Sequence, residues 1–153
     1  MSGHSGRRIF KLEVPGDPKS LALIRLLINH LASSVGYDEV ESTKVEIAVD
    51  EACANIIEHG YADLAPKPPV LITVDLTSDD FVVEITDEGK HFEVGNYTPP
   101  TFPDHWDRGH TRGVGIFLMN QCMDQVSFGR ADEQHNQLRM SKKLQPQDTS
   151  VSA

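Results

Sequence analysis

The sequence has few cysteines, no long apolar run and no leader-like amino terminus. Its two cysteines, Cys53 and Cys122, fall in predicted helices among apolar neighbours, which predicts buried free thiols rather than a disulfide or metal ligands. No apolar stretch approaches the roughly twenty residues that a membrane span requires. The first residues also lack the apolar segment of a signal peptide. These absences predict a cytoplasmic protein that makes no membrane contact.

Basic residues are also scarce. The chain has 14 Lys and Arg against 23 Asp and Glu, a net charge of -9, which is the wrong sign for a surface that neutralises phosphate backbones. Direct nucleic-acid binding is therefore disfavoured. At 153 residues, of which 39% are hydrophobic, the chain suits one domain with a core of ordinary size, predicted over residues 1–144. Residues 145–153 are polar, include Pro146, and are predicted to be a disordered tail.

Hydrophobic periodicity and turn residues predict the order β-α-α-β-β-loop-α-β-β. The predicted strands are residues 7–14, 70–77, 81–86, 125–130 and 136–144, and the predicted helices are residues 17–36, 38–60 and 113–123. Asp17 and Asp38 are predicted to begin helices, and Gly60, with its freedom at positive φ, to end one. The order predicts an α/β protein of the α+β type, with a mixed, mostly antiparallel sheet and the helices on one face. Residues 87–112 show no sustained periodicity and are predicted to form a binding loop or lid.

Two polar side chains interrupt the apolar face of the second predicted helix. Glu51 and Asn55 are four residues apart, so they share one helix face about one turn apart. A carboxylate and an amide oxygen in apolar surroundings indicate a magnesium-dependent phosphate site. Either residue alone would more often be an ordinary solvated side chain, so the other motifs decide the interpretation.

Two glycine-containing motifs lie further along the chain. The sequence has no P-loop, and Gly113-Val114-Gly115 lacks the third glycine and the preceding strand of a dinucleotide fingerprint. Asp87, at the end of a strand, can accept a hydrogen bond from the exocyclic amine of adenine, and Gly89 lets the backbone pass close to the base. Gly113 and Gly115 would present backbone N–H groups at a helix amino terminus, where phosphates bind.

The polar residues have distinct chemical roles available. Asn55 offers a neutral oxygen to Mg²⁺, which keeps waters and phosphate oxygens as its other ligands. Glu51 could take a proton from an attacking hydroxyl as the γ-phosphoryl group departs. Arg108 and Arg112 flank the end of the predicted loop, and we favour Arg112 for the γ-phosphate because it is next to Gly113.

The predicted loop also contains histidines and aromatic residues. The spacing of its histidines matches no helical ligand pair, which disfavours a histidine-bound metal; they are His91, His105 and His110. Phe102 and Trp106 are either ordinary packing residues or a cover over the nucleotide, and the sequence does not separate these options.

These motifs, taken in order, resemble the N, G1 and G2 boxes of the ATPase superfamily shared by DNA gyrase, heat-shock chaperones, histidine kinases and MutL. The boxes are Glu51-x-x-x-Asn55, Asp87-x-Gly89 and Gly113-x-Gly115. Three stretches are most similar to the anti-sigma-factor serine/threonine protein kinases. They are Asp-Glu-Ala-Cys-Ala-Asn-Ile-Ile-Glu-His-Gly-Tyr, Asp-Glu-Gly-x-x-Phe and Gly-Val-Gly-Ile-Phe-Leu-Met. The resemblance extends from about residue 9 to residue 144. One departure is His91, where the superfamily often has a further glycine, so the G1 loop can meet the nucleotide differently.

The resemblance implies a Bergerat-type ATP-binding sandwich and a kinase that uses ATP and Mg²⁺. It implies that Glu51 is the general base, Asn55 the magnesium ligand and Asp87 the adenine reader, and that Gly113 and Gly115 bind phosphate. It further implies that the phosphoryl acceptor is a serine on a STAS-type anti-anti-sigma protein. A sigma factor or similar response regulator is implied as the alternative partner, and a homodimer through the opening strand and first helix as the assembly.

Two other functions stay open from the sequence. The chain could be a nucleotide-gated module that sequesters a regulatory partner without transferring phosphate, although the presence of Glu51 argues against this. It could also be the ATPase unit of a histidine kinase or a mismatch-repair protein. The lack of a recognisable dimerisation helix, sensor or second domain weakens that third possibility.

Overall fold

The computed structural model describes residues 6–89 and 111–144, and for residues 111–113 it describes the backbone only. The elements are β1 (Arg8–Val14), α1 (Ser20–Ser34), α2 (Glu39–Asn55), a π-helical turn (Ile56–Gly60), β2 (Val70–Leu76), β3 (Asp80–Asp87), α3 (Thr111–Cys122), β4 (Gln125–Arg130) and β5 (Asn136–Lys143). The predicted order of helices and strands is confirmed. The third helix begins two residues earlier than the sequence predicts.

The five strands form one sheet in the order β1-β2-β3-β5-β4. Every neighbouring pair is antiparallel, so the part of the sheet that the structure describes contains no parallel pair. Because β5 inserts between β3 and β4, the end of β3 lies beside the start of β5. Asp87 and Asn136 are direct partners in this register.

Alternation along the strands gives the sheet one apolar face. In β2 every second residue is buried, and β3 follows the same alternation except that Val82 is buried as well. The buried apolar strand residues other than Val82 belong to one core cluster together with buried residues of α1, α2 and α3, so the helices cover one face of the sheet. The predicted two-layer α+β sandwich is confirmed.

An aspartate side chain lies at or just before the start of each of the first two helices. The Asp38 carboxylate accepts a hydrogen bond from the backbone N–H of Glu41 at 2.8 Å, as an N-cap residue does. The Asp17 carboxylate accepts from the Lys19 N–H at 2.8 Å, although the regular part of α1 begins only at Ser20. Asp38 therefore caps α2 as the sequence predicts, whereas Asp17 stabilises the turn before α1, whose N-cap residue is Lys19.

The end of the second helical segment differs from the prediction. Gly60 is its last residue, but among the described residues only Gly36 has a positive φ, 97°. The segment instead widens into a π-helical turn that closes with the Tyr61 N–H donating to the Ile56 carbonyl at 2.8 Å. Wide turns of this kind occur often at functional sites. This turn directly follows Asn55.

Several sequence predictions lie outside the described residues. They are the loop histidines, Phe102, Trp106, Arg108 and the tail of residues 145–153. Both cysteines are buried free thiols, as predicted. None of the helices in the described part of the chain is long and apolar enough to cross a membrane.

Candidate functional site

A cavity opens between α2, α3 and the strands β3, β4 and β5. Its empty volume is about 600 Å³, which includes open solvent at the mouth. Its lining consists of Ala52, Asn55, Ile56, Gly60, Asp87, Ile116, Met119, Phe128, Gly129, Asn136, Gln137 and Leu138. Apolar walls with a few polar groups suit a flat heterocyclic base.

Asp87 reaches this cavity because of strand alternation. Phe81, Val83 and Ile85 of β3 point into the core, and the period of two places Asp87 on the same face, with 8% of its surface exposed. Its Oδ1 accepts hydrogen bonds from the Gly89 N–H at 2.8 Å and from Asn136 Nδ2 at 3.1 Å. A hydrogen-bonded carboxylate on an apolar wall can accept from an amine of a bound base.

Glu51 and Asn55 meet the start of α3 at Gly115. Asn55 lines the cavity, and Glu51 lies one turn before it on α2. A Cβ added to Gly115 would lie 2.9 Å from Asn55 Nδ2 and 3.2 Å from Glu51 Oε2. The absence of a side chain at position 115 therefore lets α3 pack directly on the carboxylate and amide pair. The predicted N box and the second glycine of the G2 box are neighbours in space.

The surroundings of Glu51 suit a proton acceptor. Burial raises the pKa of its carboxyl group above the ordinary value, and the charges of Asp50 and Glu58 raise that pKa further. Asp50 itself is paired with Arg25, whose Nη1 is 2.9 Å from Asp50 Oδ1. A carboxylate with a raised pKa is a stronger base than an exposed one, as general-base catalysis requires.

Gly89 also makes a close backbone approach. A Cβ at this position would lie 3.1 Å from Asp87 Oδ1 and 3.2 Å from the Gly60 carbonyl oxygen. The turn after β3 therefore packs against the end of the π-helical turn, which also lines the cavity. Tight packing, and not a positive φ, is what favours glycine at position 89.

The remaining predicted site residues are only partly described. Arg112 and Gly113 lie in the first turn of α3, but their side-chain positions lie outside the described residues, so their phosphate-binding roles stay predictions. Among the residues that the structure describes, no group of three or more His, Cys, Asp and Glu could hold a metal ion. The donors present, the Asn55 amide and the Glu51 carboxylate, fit Mg²⁺ that keeps most of its ligands as water and phosphate oxygens.

Sequence reasoning missed several lining residues, above all Asn136. The alternation of Asn136, Leu138 and Met140 places Asn136 on the helix side of β5, and this signal was present in the sequence. Its position opposite Asp87 depends on the pairing register, which alternation alone does not give. Gly60, Met119 and Phe128 join the site for a similar reason, since separate elements bring them together.

Replacing Gly115 with alanine is expected to weaken nucleotide binding about tenfold while the protein stays folded. The added methyl group displaces the end of the Asn55 side chain, which is a flexible group, so the cost falls on the site more than on the fold. Calorimetric titration with Mg-ATP and thermal melting measure the two effects. Gly6→Ala is the control, since its Cβ would meet nothing within 4 Å and the residue lies outside the cavity lining. Unchanged affinity in Gly115→Ala would contradict a role of this contact in nucleotide binding.

The chain is similar to known proteins in both sequence and structure. The family model described as histidine kinase-like ATPase domain matches residues 14–142. The serine-protein kinase RsbW of Bacillus subtilis is 35% identical over 125 residues, covering 76% of this chain and 74% of the relative, and RsbW of Bacillus velezensis is 33% identical with the same coverage. The crystal structure of the RsbU and RsbW domains of a Mycobacterium tuberculosis protein matches 90% of this chain and 32% of that chain, with a TM-score of 0.63. At 12% identity, that structural match shows the fold alone.

Proposed function

The chain belongs to the histidine kinase-like ATPase domain family and to its serine-protein kinases, and we propose that it phosphorylates a serine on a STAS-type anti-anti-sigma protein. One observation carries the proposal. Asn55, Asp87 and Gly115 come from three motifs far apart in the sequence, yet Asn55 and Asp87 line one cavity and Gly115 packs next to Asn55. A chance arrangement of helix and turn residues would not bring all three motifs to the same place.

The residues of the cavity divide between the parts of ATP. The adenine base fits between the apolar walls with its amine facing the Asp87 carboxylate. The phosphates belong at the amino terminus of α3, where the N–H groups of the first turn, which includes Gly113, have no partner within the helix. Gly115 lies in the next turn and lets the helix pack close to Asn55. Asn55 would hold Mg²⁺ with its amide oxygen, and the ion would supply neutralisation of phosphate charge.

In the transfer step, Glu51 accepts the proton of the acceptor serine hydroxyl. The serine oxygen forms a bond to the γ-phosphorus as the bond from that phosphorus to the bridging oxygen of ADP breaks. ADP leaves with the electron pair of the broken bond, and the proton stays on the Glu51 carboxyl group. The raised pKa of Glu51 makes it a suitable acceptor for that proton.

The partners and assembly follow from the same proposal. We propose that the chain works as an anti-sigma factor in the cytoplasm, and that a sigma factor or similar regulator is its second partner. Residues 1–144 would form a single domain. A homodimer through β1 and α1 would use β1 as an edge strand of the sheet together with the exposed Leu23 and Leu26 of α1.

The direct experiment is phosphoryl transfer in vitro. The purified chain is incubated with Mg-ATP and the STAS-type proteins encoded near it, and phosphoserine is located by mass spectrometry. Transfer should require Mg²⁺ and should vanish when the acceptor serine is replaced by alanine. No transfer to any candidate would contradict the kinase proposal. If the chain instead binds a partner stoichiometrically, in a way that depends on nucleotide, and no phosphate is transferred, the result would support a sequestering module and not a kinase.

The pH dependence of transfer provides a separate prediction. As the pH is lowered, the rate of transfer is expected to begin to fall above pH 4.5, the ordinary pKa of a glutamate side chain. The reason is that burial, Asp50 and Glu58 raise the pKa of Glu51. Asp50→Asn removes one of these charges and frees the neighbouring Arg25 cation, so the acidic limb should move to lower pH. The measurement is kcat against pH, with exposed Asp79→Asn as the control. An acidic limb that Asp50→Asn leaves in place would contradict Glu51 as the base.

A further inference from the structure

The turn that carries the proposed adenine reader is held from β5 by one side chain. This turn, residues 87–89, is called the G1 turn below. Asn136 Nδ2 donates to Asp87 Oδ1 at 3.1 Å and to the Gly89 carbonyl oxygen at 3.0 Å. A single amide group thereby ties the side chain at the start of the turn to the backbone at its end. The direct pairing of Asp87 with Asn136 in the β3–β5 register makes this bridge possible.

A second side chain, that of Tyr61, holds the middle of the G1 turn. The hydroxyl of Tyr61 accepts a hydrogen bond from the Glu88 N–H at 3.0 Å and donates one to the Pro69 carbonyl at 2.9 Å. Tyr61 is fully buried and follows the π-helical turn directly. Burial raises its pKa to about 12, so the hydroxyl keeps the proton that it donates to Pro69.

Together these contacts restrain every residue of the G1 turn. Asp87 and Gly89 are bound to Asn136, Glu88 is bound to Tyr61, and Gly89 also packs on Gly60. Selection of a base by hydrogen bonding requires an acceptor that stays within about 0.5 Å of its productive position. Without these restraints the carboxylate could turn away from the base, and the cavity would bind purines mainly by apolar contact.

We propose that Asn136 and Tyr61 are positioning residues for base selection, which hold the G1 turn so that Asp87 discriminates adenine from guanine. This inference rests on the proposed function, since it takes the cavity to be the base site. Asn136 lines the cavity, whereas Tyr61 lies outside its lining, so Tyr61 acts on the base only through the turn. The expected ligand class is adenine nucleotides, and the expected consequence of releasing the turn is loss of preference between purines.

The experiment compares two test variants with two matched controls in the full chain. The test variants are Tyr61→Phe and Asn136→Ala. Tyr37→Phe is the first control, because it removes a hydroxyl that donates to the carbonyls of Lys142 and Lys143, outside the cavity lining. Asn29→Ala is the second, because its amide donates to Glu46 between α1 and α2.

Dissociation constants for Mg-ATP and Mg-GTP are measured by displacement of a fluorescent nucleotide, together with melting temperatures. Each test variant should lose about tenfold in ATP affinity and a similar factor in the ratio of ATP to GTP affinity. The controls should keep the wild-type ratio, even where their melting temperatures fall. Asn136→Ser, whose hydroxyl is too short to reach both acceptors, should give an intermediate ratio and serves as the measured variant if Asn136→Ala does not fold.

A purely structural role predicts a different result. If the test variants melt at lower temperature but keep the wild-type ratio of ATP to GTP affinity, the inference is overturned and the proposed function stands. If the wild-type protein binds neither nucleotide, the proposed function fails, and the inference fails with it. A ratio that falls in Tyr37→Phe as much as in Tyr61→Phe would also overturn the inference.

Discussion

Glu51→Gln is expected to lower the rate of phosphoryl transfer by about 10²- to 10⁴-fold while nucleotide binding stays close to that of the wild-type protein. The amide has nearly the shape of the carboxylate, so the contact with Gly115 is kept, but it cannot accept the serine proton. Single-turnover phosphorylation of the partner measures the rate, and titration with Mg-ATP measures binding. Comparable losses in both quantities would contradict a role confined to transfer.

A matched control lies on the same helix. Glu46 accepts a hydrogen bond from Asn29 at 2.9 Å, so its carboxylate contacts α1, whereas the carboxylate of Glu51 lies next to Gly115 of α3. Glu46→Gln should therefore transfer phosphate at close to the wild-type rate. A rate as low as that of Glu51→Gln would indicate that any loss of a carboxylate on α2 disturbs the helix, and would remove the support for Glu51 as base.

The same Glu51 substitution is expected to raise the melting temperature at neutral pH. Because the pKa of Glu51 is raised in the folded protein, the folded state holds this proton more tightly than the unfolded state does. The contribution of Glu51 to stability therefore falls as pH rises from its ordinary pKa through its raised one. Glu51→Gln removes this cost, so the variant should have a higher melting temperature than the wild-type protein at pH 7. Below about pH 4 the two melting temperatures should be equal. Equal melting temperatures at pH 7 would contradict the raised pKa.

Asn55→Ala is expected to weaken binding of Mg-ATP by about a hundredfold or more, since the residue is the proposed ligand of the ion. Its side chain faces the cavity and touches Gly115, so the amide also bounds the space for the phosphates. Titration calorimetry with and without Mg²⁺ measures the effect. In EDTA, the difference between variant and wild type should become much smaller, because the lost interaction is with the ion.

The contrast between Glu51→Gln and Asn55→Ala tests the division of roles. Asn55 should control whether nucleotide binds, and Glu51 should control whether phosphate moves. If the two variants lose binding alike, that division is wrong. If the deficit of Asn55→Ala is as large in EDTA as in Mg²⁺, Asn55 acts through direct contacts and not through the metal.

Much of the proposed site could be predicted because its residues lie in short local patterns. Glu51 and Asn55 are one helical turn apart, which places them on one face wherever the helix packs. The face of Asp87 follows from the alternation of the strand before it. The end of the second helical segment was harder to predict from the sequence. The π-helical turn after Asn55 closes through the Tyr61 N–H and not through a glycine at positive φ.

The sequence by itself determined the order of elements, the single core and the three motifs, since these depend on local periodicity and residue type. Only the tertiary structure decided what holds the G1 turn, because Asn136 reaches Asp87 through strand pairing across 49 positions and Tyr61 reaches Glu88 across 27. Contacts over such separations depend on register and packing. No local pattern encodes register, so the partners of the proposed adenine reader became visible only in the folded chain.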